Sequence, residues 1–240
     1  MSVGVFAETA LGELSRAAGL QLSAYRPEHV AKRISRALER EGASDLESFV
    51  RLLRSDAAVR ARVRSSVAVS VSGLFRDPAQ FELLEQRVLP SLLEGSRRVG
   101  VWSAGCADGS ELYSVAILLD RLGALERSFL LGSDLLEENL AAARRGVYGE
   151  TTISELLRAR ARFEQRDLVR DGAPSNGWRL VLCRNVAIYL APPARRGLHE
   201  TLAGALAPGG VLLLGRSERL ADPKTLGLER IAPHAYRRVS

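Results

Sequence analysis

The chain carries only two cysteines, Cys106 and Cys183, in 240 residues. Both fall in or at the end of stretches that read as strands, so no disulfide framework is expected and the cytoplasm is the default compartment. The three histidines, His29, His199 and His234, are scattered, and none stands at ligand spacing from a cysteine. No metal site is expected. Aromatic residues make up 5% of the chain. No aromatic stacking platform accompanies the basic residues, which argues against nucleic acid as a partner. No apolar run approaches the roughly 20 residues of a membrane span. Residues 1–8 lack a basic region followed by an apolar core, so no signal peptide is expected. Also missing are a Gly-Lys-Ser/Thr phosphate loop and a three-glycine pyrophosphate turn, which removes the usual signs of ATP or NAD binding.

What remains is an ordinary globular composition, 46% hydrophobic and 26% charged, with a formal net charge of +6. The length suits one large domain or a large and a small one. Residues 1–66 read as all-helical. Leu11, Leu14, Ala17 and Ala18 have helical spacing, and Gly19 supplies a stop. Pro27 stands at a first helical turn. The helix that follows carries Val30, Ile34, Ala37 and Leu38 on one face and Lys32, Arg33, Arg36 and Arg40 largely on the other. That basic face reads either as solvated surface or as a dock for an acidic helical partner. Ser44 with Glu47 three residues on has the pattern of a capping box, and a fourth helical run carries Val59, Val63 and Val67. Residues 67–97 read as an extended small-residue link followed by a helix that opens at Pro78 and is interrupted near Pro90.

From residue 98 to 240, strands alternate with helices. Strands are expected at 99–103, 129–134, 162–166, 178–183 and 210–215, with a final pair around 228–239, and helices at 110–122, 137–145 and 191–206. Apolar runs without alternation imply a parallel sheet covered on both faces, built from right-handed βαβ units. In such a doubly wound α/β fold the ligand sits at the carboxyl ends of the strands. The first strand ends in a small-residue loop, 103–109, containing Gly105 and Gly109 and followed by Glu111. The others end at Asp134, at Asp167-Leu168, at Cys183-Arg-Asn-Val-Ala-Ile-Tyr189 and at Gly215-Arg-Ser-Glu218. An acid at Asp134 can accept from two vicinal ribose hydroxyls, Asp167 and Leu168 can meet an adenine edge and face, and Glu111 can meet an ammonium. The set suits a nucleoside that carries an amino acid but no phosphate.

These residues resemble the CheR-type chemoreceptor glutamate O-methyltransferases, which use S-adenosylmethionine. The resemblance is carried by Ser70-Val-Ser-Gly-Leu-Phe-Arg-Asp77, by Trp102-Ser-Ala-Gly-Cys106 with Gly109-Ser-Glu-Leu-Tyr-Ser114, by Ser133-Asp134, Arg145-Gly-Val-Tyr148 and Phe163 with Asp167-Leu168, and by the runs at 183–189 and 215–218. It implies a small all-helical N-terminal domain and a class I methyltransferase (Rossmann-like) mixed sheet with a C-terminal antiparallel strand pair. It also implies that Arg76, Arg184 and Tyr189 lie near the reacting methyl group. Ser70, Ser72, Arg76, Gly105, Glu111, Asp134, Asp167, Leu168, Arg184 and Asn185 would contact S-adenosylmethionine or its product S-adenosylhomocysteine, with no metal. The acceptor would be a glutamate on the cytoplasmic helical region of a chemoreceptor, met through Lys32, Arg33, Arg36 and Arg40.

The departures matter as well. Ser70 and Ser72 replace Asn and Thr of the family pattern, and Ser110 replaces Glu. Residues 149–162 are expected to form a single helix capped by Thr151 or Thr152, which leaves no room for the family's β-subdomain and its tethering of receptors or other partners. A catalytically weak member, acting as a cofactor sensor or a protein-interaction module, is the alternative reading.

Overall fold

The computed structural model describes residue 6 and residues 8–69, 72–94 and 98–239. The chain forms two compact units, one built from the N-terminal helices together with Tyr189–Arg196, the other from the remainder.

The helical unit contains α1 (Glu8–Ala18), α2 (Pro27–Glu41), α3 (Leu46–Ser55) and α4 (Ala57–Val67). Each helix buries the face its periodicity marks. Leu14, Ala18, Ile34, Phe49, Leu53, Val63 and Val67 are all fully enclosed. Pro27 occupies the first turn of α2, where its missing N–H has no intrahelical partner to lose. Gly42 ends that helix in the left-handed region at φ 67°. The cap of α3 differs from the expected one. Asp45, not Ser44, is the N-cap; its side chain accepts from Ser48 N at 2.8 Å while Ser48 Oγ accepts from Asp45 N at 3.3 Å. A carboxylate beside the N-terminal N–H groups is favoured over a hydroxyl by the helix dipole. Asp56 caps α4, accepting from Ala58 N and Val59 N. The segment Tyr189–Arg196 joins this unit by backbone pairing: Arg26 N donates to Tyr189 O, Ala191 N donates to Ala24 O, and Tyr25 bridges Leu190.

The second unit opens with α5 (Pro78–Leu83), a π-helical stretch from Leu84 to Val88, and α6 (Leu89–Glu94). Pro90 has no N–H and its ring crowds the carbonyl four residues back, so the helix widens before it rather than ending. Phe81, Leu84, Val88, Leu89 and Leu92 belong to the core of this unit. The helix expected as part of a link is therefore packed in the sheet unit.

Then follow β1 (Val99–Ala104), α7 (Ser110–Arg121), β2 (Ser128–Asp134), α8 (Glu137–Arg145), β3 (Val147–Tyr148), β4 (Thr151–Thr152), α9 (Glu155–Arg160), β5 (Ala161–Gln165), β6 (Trp178–Cys183), α10 (Pro192–Ala205), β7 (Leu206–Leu214), β8 (Leu228–Ala232) and β9 (Ala235–Arg238). The sheet order is β5-β2-β1-β6-β7-β9-β8. The five strands from β5 to β7 are parallel, and β9 runs antiparallel to both β7 and β8. In β1, β6 and β7 successive residues are buried, Val101 with Trp102, Val181 with Leu182, and Leu212 with Leu213. Both sheet faces are thus covered, as a parallel sheet requires. Strand order reverses between β1 and β6, which puts the topological switch point at their carboxyl ends.

Two further expectations are corrected. Strand β7 starts at Leu206, upstream of the Pro208-Gly-Gly turn, because the turn is absorbed as an irregularity in the pairing with β6. A Cβ at Gly210 would lie 2.7 Å from Trp178 O, so the backbones approach there only without a side chain. Residues 149–162 do not form a single helix. Thr151 and Thr152 pair with Val147 and Tyr148 in a short hairpin, and Ser154, whose Oγ accepts from Leu157 N, caps α9. Two adjacent β-branched residues after Gly149 favour extended backbone over a helix start. Among the described residues no helix is long and apolar enough to cross a membrane.

The capping geometry gives a direct test. Asp45→Ala lowers the unfolding free energy by about 1 kcal/mol in urea denaturation, whereas Ser44→Ala changes it by less than about 0.3 kcal/mol.

Candidate active site

The loop after β1 is folded by β2. Gly105 N and Cys106 N both donate to Ser133 O, at 2.8 and 2.9 Å. Ala107 N donates to Asp134 Oδ2 at 2.9 Å, and Asp134 Oδ1 accepts from Leu136 N at 3.0 Å and from Asn139 Nδ2 at 2.9 Å. Asp134 is 8% exposed. Burial pushes its carboxyl above the usual range, and the donors around it pull the other way. Each carboxylate oxygen has two lone pairs, so Oδ2 keeps capacity for a second donor.

Glycine is required twice in this loop. Gly105 sits at φ +76°, and a Cβ there would lie 2.6 Å from Val186 Cγ2 and 3.8 Å from Leu168 Cδ1. Gly109 sits at φ +80°, and its Cβ would meet Ala143 Cβ at 2.7 Å. The structure therefore brings Gly105 together with Leu168 from the loop after β5 and Val186 from the loop after β6. Cys106 and Cys183 are buried beside carboxylates, and burial pushes both thiols up, away from the reactive thiolate.

Arg184 follows β6, and its side chain is 4% exposed. Its Nε donates to Gln80 Oε1 at 2.8 Å, Nη1 to Glu111 Oε2 at 3.1 Å, and Nη2 to Arg76 O at 2.7 Å and to Asp77 Oδ2 at 2.9 Å. The guanidinium also lies 5.2 Å from the Phe81 ring centroid. The other oxygen of Glu111 accepts from Ser103 Oγ at 2.7 Å. Arg184 thus ties the loop at 76–77 to the start of α7. Ser110 and Ser114 tie the same loop further: Gly73 N donates to Ser110 Oγ at 3.0 Å and Phe75 N to Ser114 Oγ at 2.9 Å. Ser110, which departs from the family pattern, is a loop anchor here. Phe75 and Asp77 are both left-handed, at φ 52° and 63°, a conformation that non-glycine residues hold only under such restraint.

The other expected residues are less gathered. Asp167 accepts from Val169 N and Arg170 N and so shapes its own turn. Ser72 is exposed and lines a cleft of about 520 Å³ with Gly73, Asp108 and Tyr148. Asn185 is left-handed at φ 62°. Tyr189 belongs to the helical unit, where its ring lies 5.0 Å from that of His29, while Arg76 and Arg184 belong to the sheet unit. Ser70 lies outside the described residues. Gln80 and Asp77 were not expected. The signal for Gln80 was its place four residues before Leu84, on the face of the helix that its apolar residues mark for burial.

Removing Arg184 leaves Glu111 held by the Ser103 hydroxyl and Asp77 by the exposed Arg216 at 3.5 Å, and it leaves the Arg76 carbonyl and Gln80 without their guanidinium donor. Arg184→Met lowers the unfolding free energy by about 3–5 kcal/mol in urea denaturation.

The family model described as the CheR methyltransferase SAM binding domain matches residues 70–162 and 149–232, and the one described as the CheR methyltransferase all-alpha domain matches residues 8–67. A chemotaxis protein methyltransferase of Listeria innocua is 30% identical over 245 residues, covering 93% of each chain. A probable chemotaxis protein methyltransferase of Rhizobium etli is 30% identical over 253 residues, covering 92% of this chain and 94% of its own. Chemotaxis protein methyltransferase 1 of Pseudomonas aeruginosa is 29% identical over 239 residues, covering 86% and 87%. With both family domains matched in order across a helical unit and a doubly wound sheet, the chain belongs to the CheR methyltransferase family of S-adenosylmethionine-dependent enzymes.

Proposed function

We propose that this protein methyl-esterifies glutamate side chains on the cytoplasmic helical region of a chemoreceptor or a related signalling protein. The observation that supports this best is the acceptor-rich site at the switch point. Asp134 closes β2 with an oxygen still able to accept, and Glu111, in the first turn of α7, holds a carboxylate between Ser103 at the end of β1 and Arg184. Hydroxyls of a ribose match the first and an ammonium matches the second, which is the chemistry of S-adenosylmethionine. Asp134, Glu111, Gly105 and Leu168 would hold it, with Ser70, Ser72, Asp167 and Asn185 completing the set. When bound, it supplies a methyl group on a sulfonium sulfur.

A glutamate acceptor with a pKa of about 4.3 is already ionised at neutral pH, so no side chain here has to remove a proton. The protein's task is alignment and exclusion of water. Arg184 spends its donors on Gln80, Glu111, Asp77 and the Arg76 carbonyl, so its part is to hold the frame. The family resemblance gives Arg76 the task of orienting the acceptor carboxylate.

For the receptor, α2 offers Lys32, Arg33 and Arg36. Arg40 is engaged with Glu41, which also pairs with Arg62; these two arginines lower the Glu41 carboxyl to about 2. Between Gly149 and the start of β5 the chain holds only the second strand of the short hairpin and α9, which supports recruitment without a β-subdomain tether.

Incubation with methyl-labelled S-adenosylmethionine and a receptor cytoplasmic fragment should yield base-labile label on the fragment. Label absent while S-adenosylhomocysteine still binds in calorimetry would leave the cofactor-sensor reading in its place. Asp134→Ala should weaken S-adenosylhomocysteine binding by about tenfold or more, as expected for loss of hydrogen bonds to a charged group.

A further inference from the structure

Glu218 is 5% exposed, and its carboxylate meets three backbone donors. Asn185 N donates to Oε2 at 2.7 Å, Gly215 N to Oε2 at 2.8 Å, and Ala187 N to Oε1 at 2.7 Å. These bonds join the loop after β7 to the loop after β6. The approach is close enough to forbid a side chain at Gly215, whose Cβ would lie 2.6 Å from Glu218 Oε2 and 2.8 Å from Asn185 N. From the other side, His234 Nδ1 lies 2.6 Å from Glu218 O, and Leu214 N donates to His234 O.

The loop so held carries three elements of the site. Arg184 precedes the first clamped amide. Asn185 owns that amide and is kept in the left-handed region at φ 62°. Val186, between the two clamped residues of this loop, lies over Gly105, with its Cγ2 where a Cβ on that glycine would collide. A carboxylate that accepts three N–H groups fixes direction as well as distance, because each donor points at a separate lone pair.

We infer that Glu218 is a positioning residue for cofactor binding, acting through the backbone of Asn185 and Ala187 to set Val186 against the Gly105 floor. The inference rests on the reading of this floor as the S-adenosylmethionine site. Glutamine at this position keeps the shape but offers one acceptor oxygen and turns an amide N–H₂ toward a backbone donor.

The test compares wild-type protein with Glu218→Gln and Glu218→Asp. S-adenosylhomocysteine affinity is measured by calorimetry, and amide hydrogen exchange is followed over residues 183–187 and 215–218 without ligand. The expected result is faster exchange confined to those two loops and a rise in Kd of about tenfold or more. KM for S-adenosylmethionine should rise while the KM for a receptor fragment holds. Glu218→Asp, which keeps the charge on a shorter stem, should fall between wild type and Glu218→Gln, and it carries the comparison if Glu218→Gln does not fold. If wild type binds and both folded variants bind within twofold of it, Glu218 is merely structural and the inference is overturned. If wild type itself fails to bind while its two loops stay protected, the reading of the site fails and takes this inference with it.

Discussion

One buried cation organises the sheet unit's functional end. Arg184 leaves water almost completely, and that is tolerable only because Glu111, Asp77, Gln80 and a backbone carbonyl receive it in a planar fork. The partners come from far apart in the sequence, from the start of α5, the loop before it and the start of α7. Their convergence lets a strained loop with two left-handed non-glycine residues keep one shape. A lysine would reach one carboxylate but could not span the set. The same chemistry explains why serine works at Ser110: the loop needs a hydroxyl to take the Gly73 N–H, and serine supplies it at short range.

Much of this was legible in the chain itself. Strand β6 and helix α8 fall where their apolar patterns place them, because each buries a face of definite period. The order of polar strand ends led to Asp134, Glu111 and Arg184. What the chain did not show were choices decided by a few atoms. Thr151 and Thr152 follow Gly149 and turn into a hairpin, although their hydroxyls could equally have capped a helix. Ser44 and Asp45 are adjacent cap candidates, and the carboxylate wins on charge. Glu218 stood in a run already marked at a strand end, but its three donors lie on two loops that only the sheet order makes neighbours.

Roles shift when partners are counted. Arg184 matches a position associated with the reacting methyl group, yet its hydrogen bonds point into the protein's own frame. Asp134 likewise has a structural duty, pinning Ala107 and the start of α8, in addition to any ligand it meets. In a cleft assembled from loops these side chains are what keeps the loops in register.

The helical unit is not a contiguous stretch of sequence. Its backbone pairing is completed by Tyr189–Arg196, more than a hundred residues beyond α4, through the Tyr25–Leu190 bridge and its flanking hydrogen bonds. The polypeptide must pass through four strands of the sheet before it can return to finish the helices. The N-terminal unit is therefore not a cassette that recombination could lift out at one boundary. Sequence drift in the eight-residue return segment is answerable to backbone partners at Ala24, Tyr25 and Arg26, which lie more than 160 residues earlier in the chain.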